Sequence, residues 1–309
     1  MQRSPPPVLR RRFFGPSTAG LGIVFVWSTC FVAIKGTEGL VPPLLYAALR
    51  ALAAAFLLVL VAAPLGRLRP PKGSWPWLFA LALTSTTLAL AGMFLGVGLA
   101  GPTLSAVLAN TQPLLAAPLA ALLFGERFSP AGALGLGLGL LGVALTLGGS
   151  VGNGSSRTLG LFLALASAVG MASGNLLMRY LAPRVDALTA VTWQYTIGGA
   201  ALLLWSRLAE GPAEVPWSSL RFLLGLAYLG LVASAGASLA WYLLLRKTDL
   251  NPLNALTLLT PALSATLGWV LFREKISAVA GVGIGATLLG VALASSRLGG
   301  RKRSTAEPP

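Results

Sequence analysis

Arg50 is the only formal charge that falls inside a long apolar stretch of this chain, and it is the first residue to ask for chemistry. A guanidinium taken out of water is costly unless something pairs with it. Two readings stay open: a structural arginine reaching for an interface, or an anchor for an anion such as a carboxylate. At two other places polar residues gather beside a proline. Asn110, Thr111 and Gln112 precede Pro113, and Thr257 and Thr260 precede Pro261. Proline inside a helix removes one backbone hydrogen bond, so an amide beside it can bind both backbone and ligand. Other aromatic and polar side chains within apolar stretches are Trp27, Ser28 and Phe31, then Ser173 and Asn175, then Trp193, Gln194 and Tyr195, then Ser234, Ser238, Trp241 and Tyr242. They either line a cavity or serve helix contacts and the interfacial aromatic belt. Glu126 and Glu274 stand beside Arg127 and Lys275 at the ends of apolar runs. They read as interfacial ion pairs, or as a gate made twice.

The missing residue types narrow the chemistry. The chain has no histidine and one cysteine, Cys30. His/Cys zinc sites, Ser-His-Asp triads and Cys-His pairs are therefore excluded. The only aspartates, Asp186 and Asp249, fall between apolar runs, so paired-aspartate proteolysis has no support. No cofactor or metal is expected, and an enzyme is disfavoured.

The elements that must hold these residues follow from the charge distribution. Only 23 basic and 8 acidic residues occur in 309, 10% charged, with a mean hydropathy of +0.79. An ordinary soluble domain carries about 25% charge. Stretches free of charge are long and even, and a bilayer-spanning helix needs about 20 apolar residues. Ten helices are expected, at roughly 17–36, 43–63, 76–98, 103–124, 130–149, 159–181, 187–206, 218–242, 252–272 and 277–296. A 53-residue uncharged run, 73–125, supplies two of them, divided near Gly101-Pro102-Thr103. The first helix follows Arg10-Arg11-Arg12 and reads as a retained span, not a cleaved signal.

Basic residues set the expected orientation. With the N-terminus in the cytoplasm, sixteen basic residues lie inside and six outside, and both termini are cytoplasmic. Tails and loops carry these cations, with no basic domain, so the net charge of +15 fits anionic headgroups better than nucleic acid.

The two halves of the chain match. Residues 94–127 and 242–275 align at an offset of 148, pairing Phe94 with Tyr242, Pro113 with Pro261, and Glu126-Arg127 with Glu274-Lys275. Earlier in each half the offset is about 144, and Arg50 meets Gln194. A unit of five helices, repeated in tandem, must enter the membrane from opposite sides. The expected architecture is thus all-α, with ten transmembrane helices in two inverted five-helix repeats. Such repeats typify secondary transporters, with substrate near the midplane and discontinuous helices beside it. Gly135…Gly139 and Gly281…Gly285 fit the G-x-x-x-G spacing for close helix packing, within a monomer or across a homodimer.

The twin proline-to-glutamate endings combine with Trp27-Ser28-Thr29, Phe31 and Lys35 on the first helix and with Pro42-Pro43-Leu44…Leu49-Arg50 on the second. In this combination the chain resembles the EamA family of the drug/metabolite transporter superfamily over about residues 17–297. The resemblance implies residues 17–149 and 159–297 as two EamA-like repeats, a loop at 150–158, and basic tails at 1–16 and 298–309. It also implies export of small metabolites such as amino acids, or of drug-like compounds. Partners would be a small-molecule substrate and the lipid bilayer. Substrate would contact Trp27, Ser28, Phe31, Arg50, Asn110, Gln112, Trp193, Gln194, Tyr195, Ser238, Trp241, Tyr242 and Thr260, with hinges at Pro113 and Pro261 and gates at Glu126 and Glu274. A membrane sensor or assembly subunit without transport is the alternative, and a channel is disfavoured by the lack of charged rings.

Overall fold

The structure, a computed structural model, describes residues 16–112, 114–115, 130–148, 154–245, 259–273 and 276–296. Pro113, Glu126, Arg127, Asp249, Glu274, Lys275 and most of both tails lie outside the described residues. All regular structure among the described residues is helical. The helices are α1 (Pro16–Gly36), α2 (Pro43–Ala62), α3 (Trp75–Ala100), α4 (Pro102–Ala109) and α5 (Pro130–Gly148). The second half holds α6 (Ser155–Leu181), α7 (Ala187–Ala209), α8 (Leu220–Leu244), α9 (Leu259–Phe272) and α10 (Ala278–Ser296). Of these, α1, α2, α3, α6, α7 and α8 are long and apolar enough to cross a membrane. Leu134, Phe56, Leu204, Leu208, Leu224 and Leu289 point outward from the bundle, as lipid-facing side chains do.

Local chemistry explains the helix ends. The break expected in the long uncharged run falls at Gly101, whose φ of 87° glycine adopts without penalty. Pro102 then opens α4 at a position where its missing N–H costs nothing. Asp186 caps α7, its carboxylate accepting from Leu188 N at 3.0 Å and Thr189 N at 3.3 Å. At the matching start of α2 stands Pro42, which has no side chain to offer. Glu210, just past the end of α7, supplies the cap instead. Its carboxylate accepts from Leu44 N at 2.7 Å, Leu45 N at 2.9 Å and the Ser206 hydroxyl at 2.8 Å.

Both α3 and α8 widen into a π-helical segment, Leu83–Leu88 in the first and Tyr228–Gly236 in the second. Each lies at the corresponding place in its half. Such segments are rare and frequent at functional sites.

The packing respects the repeat. α2 lies on α7, α4 on α9 and α5 on α10, so each of these helices touches its own counterpart. α3 lies against α6 and α7, while α8 lies against α1 and α2. Adding five to each helix number exchanges one set of partners for the other.

The α5–α10 crossing is built from glycine, within one chain. A side chain on Gly142 would meet the backbone of Thr287 and Gly283. One on Gly283 would meet the backbone of Thr146 and Gly142, and one on Gly290 that of Gly139 and Gly135. Of the spaced pairs singled out in the sequence, Gly135…Gly139 is at this contact. Gly281 and Gly285 are not, because a Cβ on either has open space; α10 uses Gly283 and Gly290 on its other face.

Candidate functional site

Arg50 sits on the buried face of α2, in its second turn, and is 4% exposed. Its side chain is turned into the bundle. Its Nε donates to the Ser234 hydroxyl at 2.8 Å, on the π segment of α8. The other nitrogens find only sulfur: one faces Met93 Sδ of α3 at 3.8 Å, the other Cys30 Sγ of α1 at 3.9 Å. The ring of Phe94 lies 5.9 Å from the guanidinium carbon. Among the described residues no carboxylate pairs with Arg50.

Its counterpart Gln194 makes the mirrored contact. Gln194 Nε2 donates to Thr86 Oγ1 at 3.2 Å, on the π segment of α3. Thr86 stands 148 positions before Ser234, the same offset that pairs Phe94 with Tyr242. Tyr242, the counterpart of Phe94, donates its hydroxyl to Gln194 Oε1 at 3.4 Å. Next to this group the Tyr195 hydroxyl bonds Ser238 at 2.8 Å. The two nodes are joined through α3 and α8. Thr86 and Phe94, like Ser234 and Tyr242, are eight residues apart, about 12 Å along a helix axis.

The other sequence candidates separate into groups. Trp27 Nε1 donates to Ala233 O on the π segment of α8 at 3.2 Å, and its ring lies 5.1 Å from that of Trp241. Thr29 bonds the Tyr228 hydroxyl, which also donates to Val26 O at 3.1 Å. The π segment of α8 is thus held by α1 as well as by Arg50. Phe31 is buried in the main core cluster with Cys30 and Tyr46.

Ser28 bonds its own helix at Val24 O, and its carbonyl accepts from Ser264 of α9 at 2.7 Å. Thr260, also on α9, is buried with an unpartnered hydroxyl. Asn110 donates back to Ala106 O at 2.7 Å, and Gln112 Oε1 accepts from Asn175 of α6 at 3.2 Å. Ser28 thus joins α1 to α9, Gln112 joins the residues after α4 to α6, and Asn110 bonds within its own helix. Pro261 falls within α9.

Trp193 stands apart from its neighbours Gln194 and Tyr195. Its Nε1 donates to Leu68 O in the α2–α3 loop at 2.8 Å, and its ring meets Trp75 at 4.8 Å. Three consecutive helical residues fan over about 200°, so the triplet is divided between bundle interior and loop.

Four residues escaped the sequence reading: Thr86, Met93, Cys30 as a guanidinium neighbour, and Glu210 as a cap. Thr86 was recoverable by extending the 148 offset back from Phe94. The others carry no sequence signal, since their role is set by a neighbour from a distant segment. Among the described residues no cluster of Cys, Asp and Glu gathers as a metal site would need. The arrangement offers hydrogen bonds, aromatic faces and, at Arg50, a buried cation with no carboxylate partner among the described residues.

The EamA-like transporter family matches residues 17–148 and again 158–296, and the chain belongs to this family. It carries the family's two-repeat architecture, is a multi-pass membrane protein, and is a transporter rather than an enzyme. An uncharacterized transporter of Synechocystis sp. is 31% identical, covering 88% of this chain and 87% of the relative. A protein of Salmonella typhimurium named as a probable amino-acid metabolite efflux pump is 28% identical, covering 92% of this chain and 95% of its own. A solved crystal structure shares the fold with a TM-score of 0.64 at 24% identity, covering 90% of this chain and 96% of that one.

Proposed function

We propose that this protein exports a small organic solute, an amino acid or a drug-like compound, by alternating access between two inverted five-helix repeats. The observation that carries the reading is the exchange of packing partners between the halves. α2 grips the π segment of α8 through Arg50, and α7 grips that of α3 through Gln194. Two like units with reciprocal contacts can rock against each other between two equivalent arrangements. The relatives named as amino-acid metabolite efflux pumps support the substrate range.

The solute would lie among Trp27, Ser28, Phe31, Arg50, Asn110, Gln112, Gln194, Tyr195, Ser238, Trp241, Tyr242 and Thr260, with Trp193 supporting the rim. Pro113 and Pro261 would act as hinges, and Glu126 and Glu274 would close the two faces. Both termini lie in the cytoplasm on this reading, as the excess of basic residues there supports. No carboxylate is expected at the midplane, so proton coupling through a central carboxylate is not supported; the reading leaves facilitated exchange, or coupling through a peripheral group such as Glu38.

The test is flux in liposomes holding the purified protein, for a panel of amino acids and drug-like compounds, with and without a pH gradient. Saturable exchange independent of the gradient is expected. Pro113→Ala combined with Pro261→Ala should lower flux more than thermal stability. Absence of saturable flux across the panel would overturn the transport reading.

A further inference from the structure

Among the described residues no carboxylate answers the charge of Arg50, and this points to what does. Four surroundings close on the guanidinium: Ser234 of the α8 π segment, Met93 and Phe94 of α3, and Cys30 of α1. One neutral hydroxyl and two weak sulfur acceptors are a poor exchange for the hydration of five N–H donors. A buried ion is tolerated only where a counter-charge or a full set of acceptors offsets its desolvation. Among the described residues neither is present. The repeat shows that the position does not require a cation, because Gln194 fills the equivalent place with a neutral amide and the same π-segment partner. Packing alone therefore does not account for the charge.

Resting on the transport reading above, we infer that Arg50 is the anion subsite of that cavity, and that the transported solutes carry a carboxylate. The carboxylate takes the two guanidinium nitrogens that face Cys30 and Met93, in the side-by-side geometry this fork matches. Its oxygens replace two sulfur contacts of 3.8 and 3.9 Å with charge-assisted hydrogen bonds. At 4% exposure the group is reached only when the helices around it part, so solute meets it during the cycle and not from open water. Neutral drug-like compounds are then poor substrates, and the proposal narrows the range to acids and amino acids.

The experiment compares neutral L-amino acids with their carboxamides, which keep the side chain and amine but lose the anion. Two readouts are taken: flux in liposomes, and thermal stabilisation of the solubilised protein. Expected is flux of at least one amino acid about ten-fold above that of its carboxamide, the scale of a lost charged hydrogen bond. Stabilisation should follow the same order. Arg50→Gln, which copies Gln194, should carry the acid about ten-fold more slowly and lose the preference, with Arg50→Lys between the two.

Equal flux of acid and amide by the unaltered protein overturns the anion subsite and leaves the transport reading standing. Stabilisation by the acid alone, without flux, supports the subsite and overturns transport. Neither flux nor acid-dependent stabilisation overturns the subsite. The wild-type comparison decides these cases even if Arg50→Gln does not fold.

Discussion

Two places in this molecule have the same scaffold and different charge. On one side α2 presents Arg50 to Ser234 in the α8 π segment, beside Phe94. On the other α7 presents Gln194 to Thr86 in the α3 π segment, beside Tyr242. Helix, partner segment and aromatic neighbour correspond one by one. The difference is a cation with sulfur neighbours against an amide whose donor and acceptor are both used. Gln194 is satisfied internally by two side chains, whereas Arg50 retains donor capacity that only sulfur meets. A symmetric scaffold can thus carry an asymmetric site by changing one residue. Duplication supplies two places of like shape, and the unequal residue gives them different charge.

The widened turns explain why these positions meet. A π segment shifts the backbone register, so side chains on one face are re-aimed. Ser234 Oγ bonds Leu229 O, five residues back, at 2.8 Å, while remaining the acceptor for Arg50. Thr87 Oγ1 in the other segment reaches Ala82 O at 3.4 Å and Gly198 O of α7 at 3.3 Å. Each segment is seated closely on its partner helix, which presents or meets a glycine. A Cβ on Gly198 would fall within 2.5 Å of the Thr86 Cβ, and one on Gly230 within 2.8 Å of the Ala53 Cβ.

The largest test of the comparison is Gln194→Arg, which puts a second unpaired cation at the neutral node. No carboxylate is there to answer it, so stability should fall by about 3–5 kcal/mol. Size-exclusion profiles and thermal melts of the purified variant would show this; an unchanged melt would mean the neutral node tolerates charge as the other does. Smaller effects are expected from Gly198→Ala and Gly230→Ala. Overpacking should cost each about 1–3 kcal/mol, more at Gly198, where the added methyl presses on Thr86. Comparing their melting temperatures ranks the two seats. The smallest effect belongs to Tyr242→Phe, which makes the aromatic at the neutral node like Phe94. It removes one long hydrogen bond worth about 0.5 kcal/mol. Stability should barely move and solute preference should persist, as read by the same flux assay; a lost preference would place the selecting chemistry at Gln194 instead of Arg50.

Much of the fold was legible in the chain itself. Charge placement located the six helices that are long and apolar enough to cross a membrane among the described residues, and the Gly101-Pro102 break fell where expected because glycine and proline act locally. The 148-residue offset exposed the repeat and aligned Phe94 with Tyr242. The candidate site was legible only in outline. Arg50 was evident as a charge out of place, yet its surroundings were not, because Cys30, Met93 and Ser234 come from three other helices. Trp193 looked equivalent to Gln194 by adjacency and faces the α2–α3 loop by rotation. Pro42 gave no hint that Glu210, 168 positions later, caps α2.

The division has one physical cause. Whether a segment enters lipid, where a helix breaks and how often a unit recurs depend on residues near one another in the chain, so composition and spacing determined them. Which side chain meets which depends on helix rotation, on the extra residue in each π segment and on close approach at glycine. Those are properties of packed pairs, and only the tertiary structure decided that the buried cation of Arg50 would meet Ser234, Met93 and Cys30.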